Sequence, residues 1–338
     1  MLQFAFINSA DSSLGRVDRE SLPQQALMEM FIGGIKTNKI CGNRDEPKDI
    51  SEWDGVEIDS ETQNVIAINW NNQHLHGSID VQWLPATVGK VVLYDNFLSG
   101  TVDLTSLPAG LTILWLSCNR FTGTVDLSAL PDGIENVNLS ENRFSGSLYW
   151  RKLPASLHTV EVYRNNFTGS ISLSVPPNGL TGFYLSNNDL SGSLNFRSLS
   201  RTLNVLQLQN NRFTGSVDLA HLPDGLEVLD VGQNQLSGSV DLTSLPAALD
   251  TLALSENKFS GAVNLTRLPQ QICYLMLDNN SFSGETDFSH IPKSINILDV
   301  SMTNLSGEIF AEESGLNEFI VGNSNVTLHP TAKPYAEN

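Results

Sequence analysis

The sequence has little charge, and least of all positive charge. Charged residues make up 17% of 338, with 19 basic against 37 acidic side chains and a net charge of −18. A chain of that sign repels phosphate backbones, which sets nucleic acid aside as a partner. No apolar run approaches the roughly 18 residues of a membrane-spanning helix. The first residues, MLQFAFINSADSSLGR, combine no basic start with only a short apolar run, so no secretory signal is expected in them. The last, VTLHPTAKPYAEN, are not the apolar tail of a lipid-anchor signal. A nucleophile elbow, a phosphate-cradling glycine loop and a zinc motif are all missing. His74 and His76 flank Leu75, but no Cys, Asp or Glu joins them at ligand spacing. No catalytic residue, metal or cofactor is therefore expected.

What the chain has instead is repetition. The pattern L-x-x-L-x-L-x-x-N-x-L-x-G-x-V-x-L-x-x-L-P-x-x begins at Val65, Val88, Leu111, Ile134, Leu157, Leu180, Leu203, Leu226, Leu249, Ile272 and Ile295, each 23 residues after the last. A degraded twelfth unit begins near Leu316, with Ser324 where Asn belongs. A fixed period of this length is the mark of a solenoid, in which each unit covers the apolar face of the next.

Within a unit, the fourth and sixth positions are apolar and their neighbours mostly polar, which predicts one short half-buried strand per repeat. Stacked in register, these strands make a parallel sheet with a spacing of about 4.8 Å. The large apolar residue at the eleventh position, such as Phe121, Phe144 and Phe167, fills the core beside them. The Asn at the ninth position, from Asn96 to Asn280, is read as structural, its amide satisfying backbone groups where the strand turns away. The recurrent glycine (Gly77, Gly100, Gly123 and onward) marks a left-handed or crowded turn. Asp80, Asp103, Asp126, Asp218, Asp241 and Asp287 share one position, occupied elsewhere by Tyr149, Ser172, Asn195 and Asn264. They are read as turn caps in preference to a cation ladder.

The repeat resembles the leucine-rich repeat family, specifically its plant-type extracellular subclass, whose units carry L-x-G-x-I after the Asn. The resemblance covers roughly residues 50–310. It implies an α/β horseshoe-type solenoid with a parallel sheet on the concave face and a helical N-terminal cap, and it implies binding as the usual work. SEWDGVEI is similar to the family's cap motif C-x-W-x-G-V-x-C at Trp53, Gly55 and Val56, and LPQQALMEMFIGGI reads as the helix before it. Ser51 and Ile58 stand in the two cysteine positions, so the cap must be held by packing. The expected division is a cap over 1–64, eleven repeats over 65–315 and a terminal unit with tail over 316–338.

Cys118 and Cys273 lie in the third and tenth units, roughly 34 Å apart at seven strand spacings. A disulfide needs alpha carbons within about 7 Å, and Cys41, in the cap, is about two repeats from Cys118. All three are expected as thiols, which fits a reducing compartment, whereas the resemblance implies secretion. The six N-x-[ST] sequons are about as many as chance gives in so Asn- and Ser-rich a chain, so localisation stays open.

Side chains alternate along a strand, so the third, fifth and seventh positions face outward on the concave sheet. Units two to six present Val92, Tyr94, Ile113, Trp115, Glu161, Tyr163 and Tyr184. Units eight to eleven present Asp230, Tyr274, Met276, Asp278 and Asp299. Exposed aromatic clusters mark recognition surfaces, and the acids favour a basic protein or peptide. The binding residues expected are therefore Tyr94, Trp115, Glu161, Tyr163, Tyr184, Asp230, Asp278 and Asp299. The alternative is a structural or surface-coat spacer with no ligand on that face.

Overall fold

The computed structural model describes residues 19–36, 40–43, 46–148, 153–171, 179–311 and 317–330. Tyr149, Ser172, Leu316, the first 18 residues and the tail from 331 lie outside the described residues. The expected solenoid is there. Each unit contributes a three-residue strand, such as Lys90–Val92, Ile113–Trp115, Thr159–Glu161 and Ile297–Asp299. These strands form one 13-stranded sheet that is parallel throughout except at its first pair. The 23-residue period fixes the pairing, so Val92 lies opposite Trp115, Trp115 opposite Asn138, and Glu161 opposite Tyr184.

One strand per repeat was too few. A second strand in each unit, such as Arg120–Gly123, Arg143–Ser147 and Asn166–Ser170, builds a 12-stranded parallel sheet. The segment after the Asn alternates as the first strand does, with Phe121 buried and Thr122 exposed. Read as a core-filling residue alone, the Phe concealed that period of two. The glycine ends this strand in the left-handed region. Gly123 has φ +87°, and a Cβ there would come within 2.8 Å of the Thr101 methyl group.

The Asn ladder joins the two sheets. Asn119 Nδ2 donates to the Leu93 carbonyl of the preceding unit at 2.9 Å and to its own unit's Leu116 and Ser117 carbonyls at 3.2 and 3.1 Å. Its Oδ1 accepts from the Leu98 N–H at 2.9 Å. The same set recurs at Asn142, Asn165 and Asn188. Backbone groups that would be buried and unpaired at the corner are thereby satisfied. Inside the corner the eleventh-position rings stack, Phe121 on Phe144 at 6.1 Å and Phe144 on Phe167 at 6.3 Å.

Turns on the far side are capped by the recurrent Asp, those after Asp80, Asp103, Asp126 and Asp218 forming short 3₁₀ segments. The carboxylates of Asp103, Asp126 and Asp241 accept from the backbone N–H and the hydroxyl two residues on. Those hydrogen bonds hold the Asp103 and Asp241 carboxyls below the usual range. Mutual repulsion in a shared cation site would raise them, and no metal-holding cluster occurs among the described residues.

The helical part of the cap is one short helix, Gln24–Phe31. Gln24 seats it on the first repeat, its Oε1 accepting from Val65 N–H at 2.6 Å and its Nε2 donating to Asn64 Oδ1 at 2.9 Å. Met28 and Phe31 are buried, and Phe31 stacks on Trp70 at 5.9 Å. Trp53 is 3% exposed and donates through Nε1 to the Lys48 carbonyl at 2.9 Å. All three cysteines are unbridged. At the other end the Asn is replaced by hydroxyls: Thr303 Oγ1 donates to the Val300 carbonyl and accepts from Leu305 N–H. Ser324 does the same between Val321 and Val326.

Trp53→Ala removes a large buried ring from a cap with no covalent tie. It should cost about 3–5 kcal/mol, as other large core deletions do, and fray the array from its N-terminal end. Hydrogen exchange of the first repeats would show it; equal protection in variant and parent would reject that role.

Candidate recognition face

Of the eight expected residues, Trp115, Glu161, Tyr184, Asp230 and Asp299 lie in strands of the 13-stranded sheet, while Tyr94, Tyr163 and Asp278 stand two residues past a strand end; each is partly exposed. Register sorts them into columns. Trp115, Glu161, Tyr184, Asp230 and Asp299 occupy the fifth position, and Tyr94, Tyr163 and Asp278 the seventh. The sheet brings them together in groups, not as one continuous patch.

The first group is Tyr94 with Trp115. Their ring centroids are 6.5 Å apart at 57°, a tilted contact of the kind aromatic quadrupoles favour. Asn71 Nδ2 fixes the phenol by donating to Tyr94 Oη at 3.0 Å. Trp115 remains 37% exposed, among the most exposed large apolar residues described. Val92, expected beside it on the surface, is 2% exposed. It pairs with Asn69 on one side and Trp115 on the other, and, buried, it forms floor and offers no contact.

The second group is Glu161, Tyr163 and Tyr184. Tyr184 leans over Gly182, where a Cβ would stand 2.7 Å from its ring; glycine at that position makes room for the ring. Asn138, in the same column, donates through Nδ2 to Glu161 Oε2 at 2.8 Å, while its Oδ1 takes the Ser140 N–H at 3.0 Å and the Ser140 hydroxyl at 2.6 Å. Glu161 forms no ion pair among the described residues. Burial pushes its carboxyl above the usual range. Burial also pushes the Tyr184 phenol up, and the Glu161 charge adds to it. A partly desolvated carboxylate beside two phenols, with one amide as partner, favours a cation.

The acidic zone divides. Asp278 accepts from Ser255 Oγ, and its carboxyl is raised chiefly by burial and also by the charge of Asp299. Asp299 accepts from Ser301 N–H at 2.9 Å. Asp230 stands apart, three strands from Asp299, accepting from Gly232 N–H at 2.9 Å and raised by burial. Tyr274, 37% exposed, and Met276 lie between. Two further residues of this face were not among those expected. Asn138, a sequon at the fifth position of unit four in the middle of the patch, was not counted as a binding residue, yet it is the hydrogen-bond partner of Glu161. Gln209, at the seventh position of unit seven, buries an Oε1 with no partner among the described residues. Both are polar residues in outward positions, and that was the signal that could have found them.

No family model matches the chain, and no curated protein does. Solved structures do. A plant ice-binding protein is 22% identical with a TM-score of 0.63, the match covering 91% of this chain and 98% of that one. A TDR receptor is 21% identical at 0.52, covering 78% and 56%, and YopM from Yersinia enterocolitica WA-314 is 23% identical at 0.50, covering 74% and 63%. This chain thus spans little more than half the length of the receptor. Such identities show the fold alone, a parallel solenoid of the leucine-rich repeat kind. No helix among the described residues is long and apolar enough to cross a membrane.

The raised Glu161 carboxyl makes a test possible. Because its folded-state pKa lies above the unfolded one, the folded state holds the proton more tightly. The stability this confers is full below the unfolded pKa and lost as pH rises through the folded value. Glu161→Gln should therefore flatten part of the fall in urea midpoint between pH 4 and pH 7. A variant less stable than the parent at pH 7 would show that the Asn138 bond outweighs the burial penalty.

Proposed function

We propose that this is a non-catalytic recognition module whose concave sheet binds a protein or peptide segment carrying a basic residue beside an aromatic or apolar anchor. The observation that carries the reading is Glu161: a half-buried carboxylate with a raised pKa, flanked by Tyr184 and Asn138 and lacking a cation among the described residues. An isolated buried charge is costly, and a Lys or Arg from a partner would relieve it. The Tyr94–Trp115 pair stands two strands away, about 10 Å at the usual strand spacing. An extended segment of a few residues could place its cation at Glu161 and its anchor on Trp115. The Asp278–Asp299 pair lies beyond contact of such a segment and would act through long-range attraction.

Aromatic anchors typically contribute about 2 kcal/mol or more each on truncation. For peptides selected from a random library on the full chain, Trp115→Ala should weaken binding by more than tenfold. Asp299→Asn should mainly reduce its sensitivity to salt. Selected peptides should be enriched in Lys or Arg next to an aromatic residue. Unchanged affinity in a Trp115→Ala, Tyr184→Ala double variant would contradict the reading and favour a spacer role.

A further inference from the structure

The chain's scarce positive charge is not spread evenly. Lys36, Arg120 and Arg143 line one groove of about 620 Å³ on the second sheet, around the Asn corner from the concave face. The groove has no Asp or Glu in its lining, on a molecule whose net charge is −18. Register explains the gathering. Arg120, Arg143 and Arg212 all occupy the tenth position of their units. The tenth position of the unit before Arg212 is Asp189, and the two form an ion pair at 2.8 Å. Arg164 and Arg197 likewise pair with carboxylates one unit away. For Arg143 the preceding tenth position is Arg120 itself, and for Arg120 it is Phe97. Neither arginine, nor Lys36, makes an ion pair among the described residues.

The groove is also held in shape. Arg120 lies over the Phe97 ring at 4.9 Å, and His76 stacks on the same ring at 4.8 Å. Held over the ring by a cation–π contact, the guanidinium keeps N–H groups able to donate to a ligand. Lys36 is pinned at the sheet edge by its N–H, which donates to the His76 carbonyl at 2.8 Å. Between the cations the floor is hydroxyl and glycine. Ser99 and Thr122 donate to the carbonyls of Gly77 and Gly100 at 3.1 and 3.3 Å, which leaves their oxygen lone pairs able to accept from a ligand.

We propose that this groove binds an anionic saccharide, a sugar chain bearing carboxylate or sulfate groups, laid across the strands. Arg120 and Arg143, on adjacent strands, stand about one strand spacing apart, near 4.8 Å, with Lys36 beyond the sheet edge, about three spacings from Arg120, so the row answers charges carried along an extended chain. The Ser99 and Thr122 oxygens answer sugar hydroxyls. The net charge of −18 repels every polyanion, so a sparsely charged sugar chain suits the groove better than duplex nucleic acid, with one charge per about 1.7 Å, and Arg120 and His76 already engage the Phe97 ring. An acidic peptide lacks the hydroxyls that the floor would engage.

The test uses the full chain and four soluble polymers: polygalacturonate for carboxylate, dextran sulfate for sulfate, uncharged dextran and poly-glutamate. The parent should bind at least one of the two anionic saccharides, and at least tenfold more weakly at 300 mM salt than at 50 mM. Which of the two binds identifies the anionic group. An Arg120→Ala, Arg143→Ala double variant should lose at least tenfold in affinity, while Arg212→Ala, which removes an arginine already paired, should bind as the parent does. Far-ultraviolet dichroism and thermal melting confirm that each variant is folded. The proposal is overturned if the parent binds neither anionic saccharide, or if the double variant binds as tightly as the parent. It is equally overturned if uncharged dextran or poly-glutamate binds as well as the better of the two.

Discussion

The side-chain amide at the ninth position is the interaction on which the rest depends. Each repeat turns a corner between its two strands, and at that corner the backbone leaves both sheets with polar groups pointing inward. A single Asn, with two donors and an acceptor, reaches carbonyls in its own and the preceding unit and an N–H of the preceding unit's second strand. Its reach therefore locks three things at once: the bend of the chain, the spacing of neighbouring units and the register between the two sheets. Units in which the Asn is lost lie at the ends of the array: Gln73 stands in its place in the first unit, and at the C-terminal end Thr303 and Ser324 reproduce only part of the set. A hydroxyl offers one donor where the amide offers two, which suits a position where the array stops.

Because that register is fixed, every outward position becomes a column, and the chemistry of the surface follows from which residues happen to be stacked. An acid above an arginine makes an internal ion pair, as at Asp189 and Arg212. An arginine above an arginine leaves charge for a ligand. On the concave sheet the same logic isolates Glu161 between Asn138 and Tyr184 and places Trp115 beside Tyr94. The scaffold carries little charge, and unpaired charges in two separate columns are where it differs most from a neutral spacer.

Much of this was legible in the sequence, and the failures have physical causes. The period, the core positions and the inward Asn are dictated by chain geometry and hydrogen-bond arithmetic, so they could be read residue by residue. Alternation placed Trp115, Glu161, Tyr184, Asp230 and Asp299 outward on their strands, whereas Tyr94, Tyr163 and Asp278 stand just past the strand ends. The second sheet was missed because Phe121 and its equivalents satisfy two descriptions, core filler and strand residue, and only the alternating Thr or Ser beside them tells the two apart. Val92 was misjudged because an outward position need not be an exposed one, and a position count does not tell the two apart. The cationic groove was invisible for a similar reason: Lys36 comes from the cap, and its meeting with Arg120 and Arg143 needs the bridge between Ile35 and Gly77.

The claim that the amide ladder sets the register of both sheets is tested most directly by hydrogen exchange on Asn165→Ala. Asn165 accepts from the Phe144 N–H at 3.0 Å and donates to the carbonyls of Leu139, Val162 and Tyr163 at 3.0, 3.1 and 3.3 Å. If the ladder governs register, protection should fall across both strands of units four to six, including the strands that carry Glu161 and Tyr184. If only the Phe144 amide exchanges faster and the neighbouring strands keep their protection, the Asn is a local cap and the register of the two sheets is set by something else.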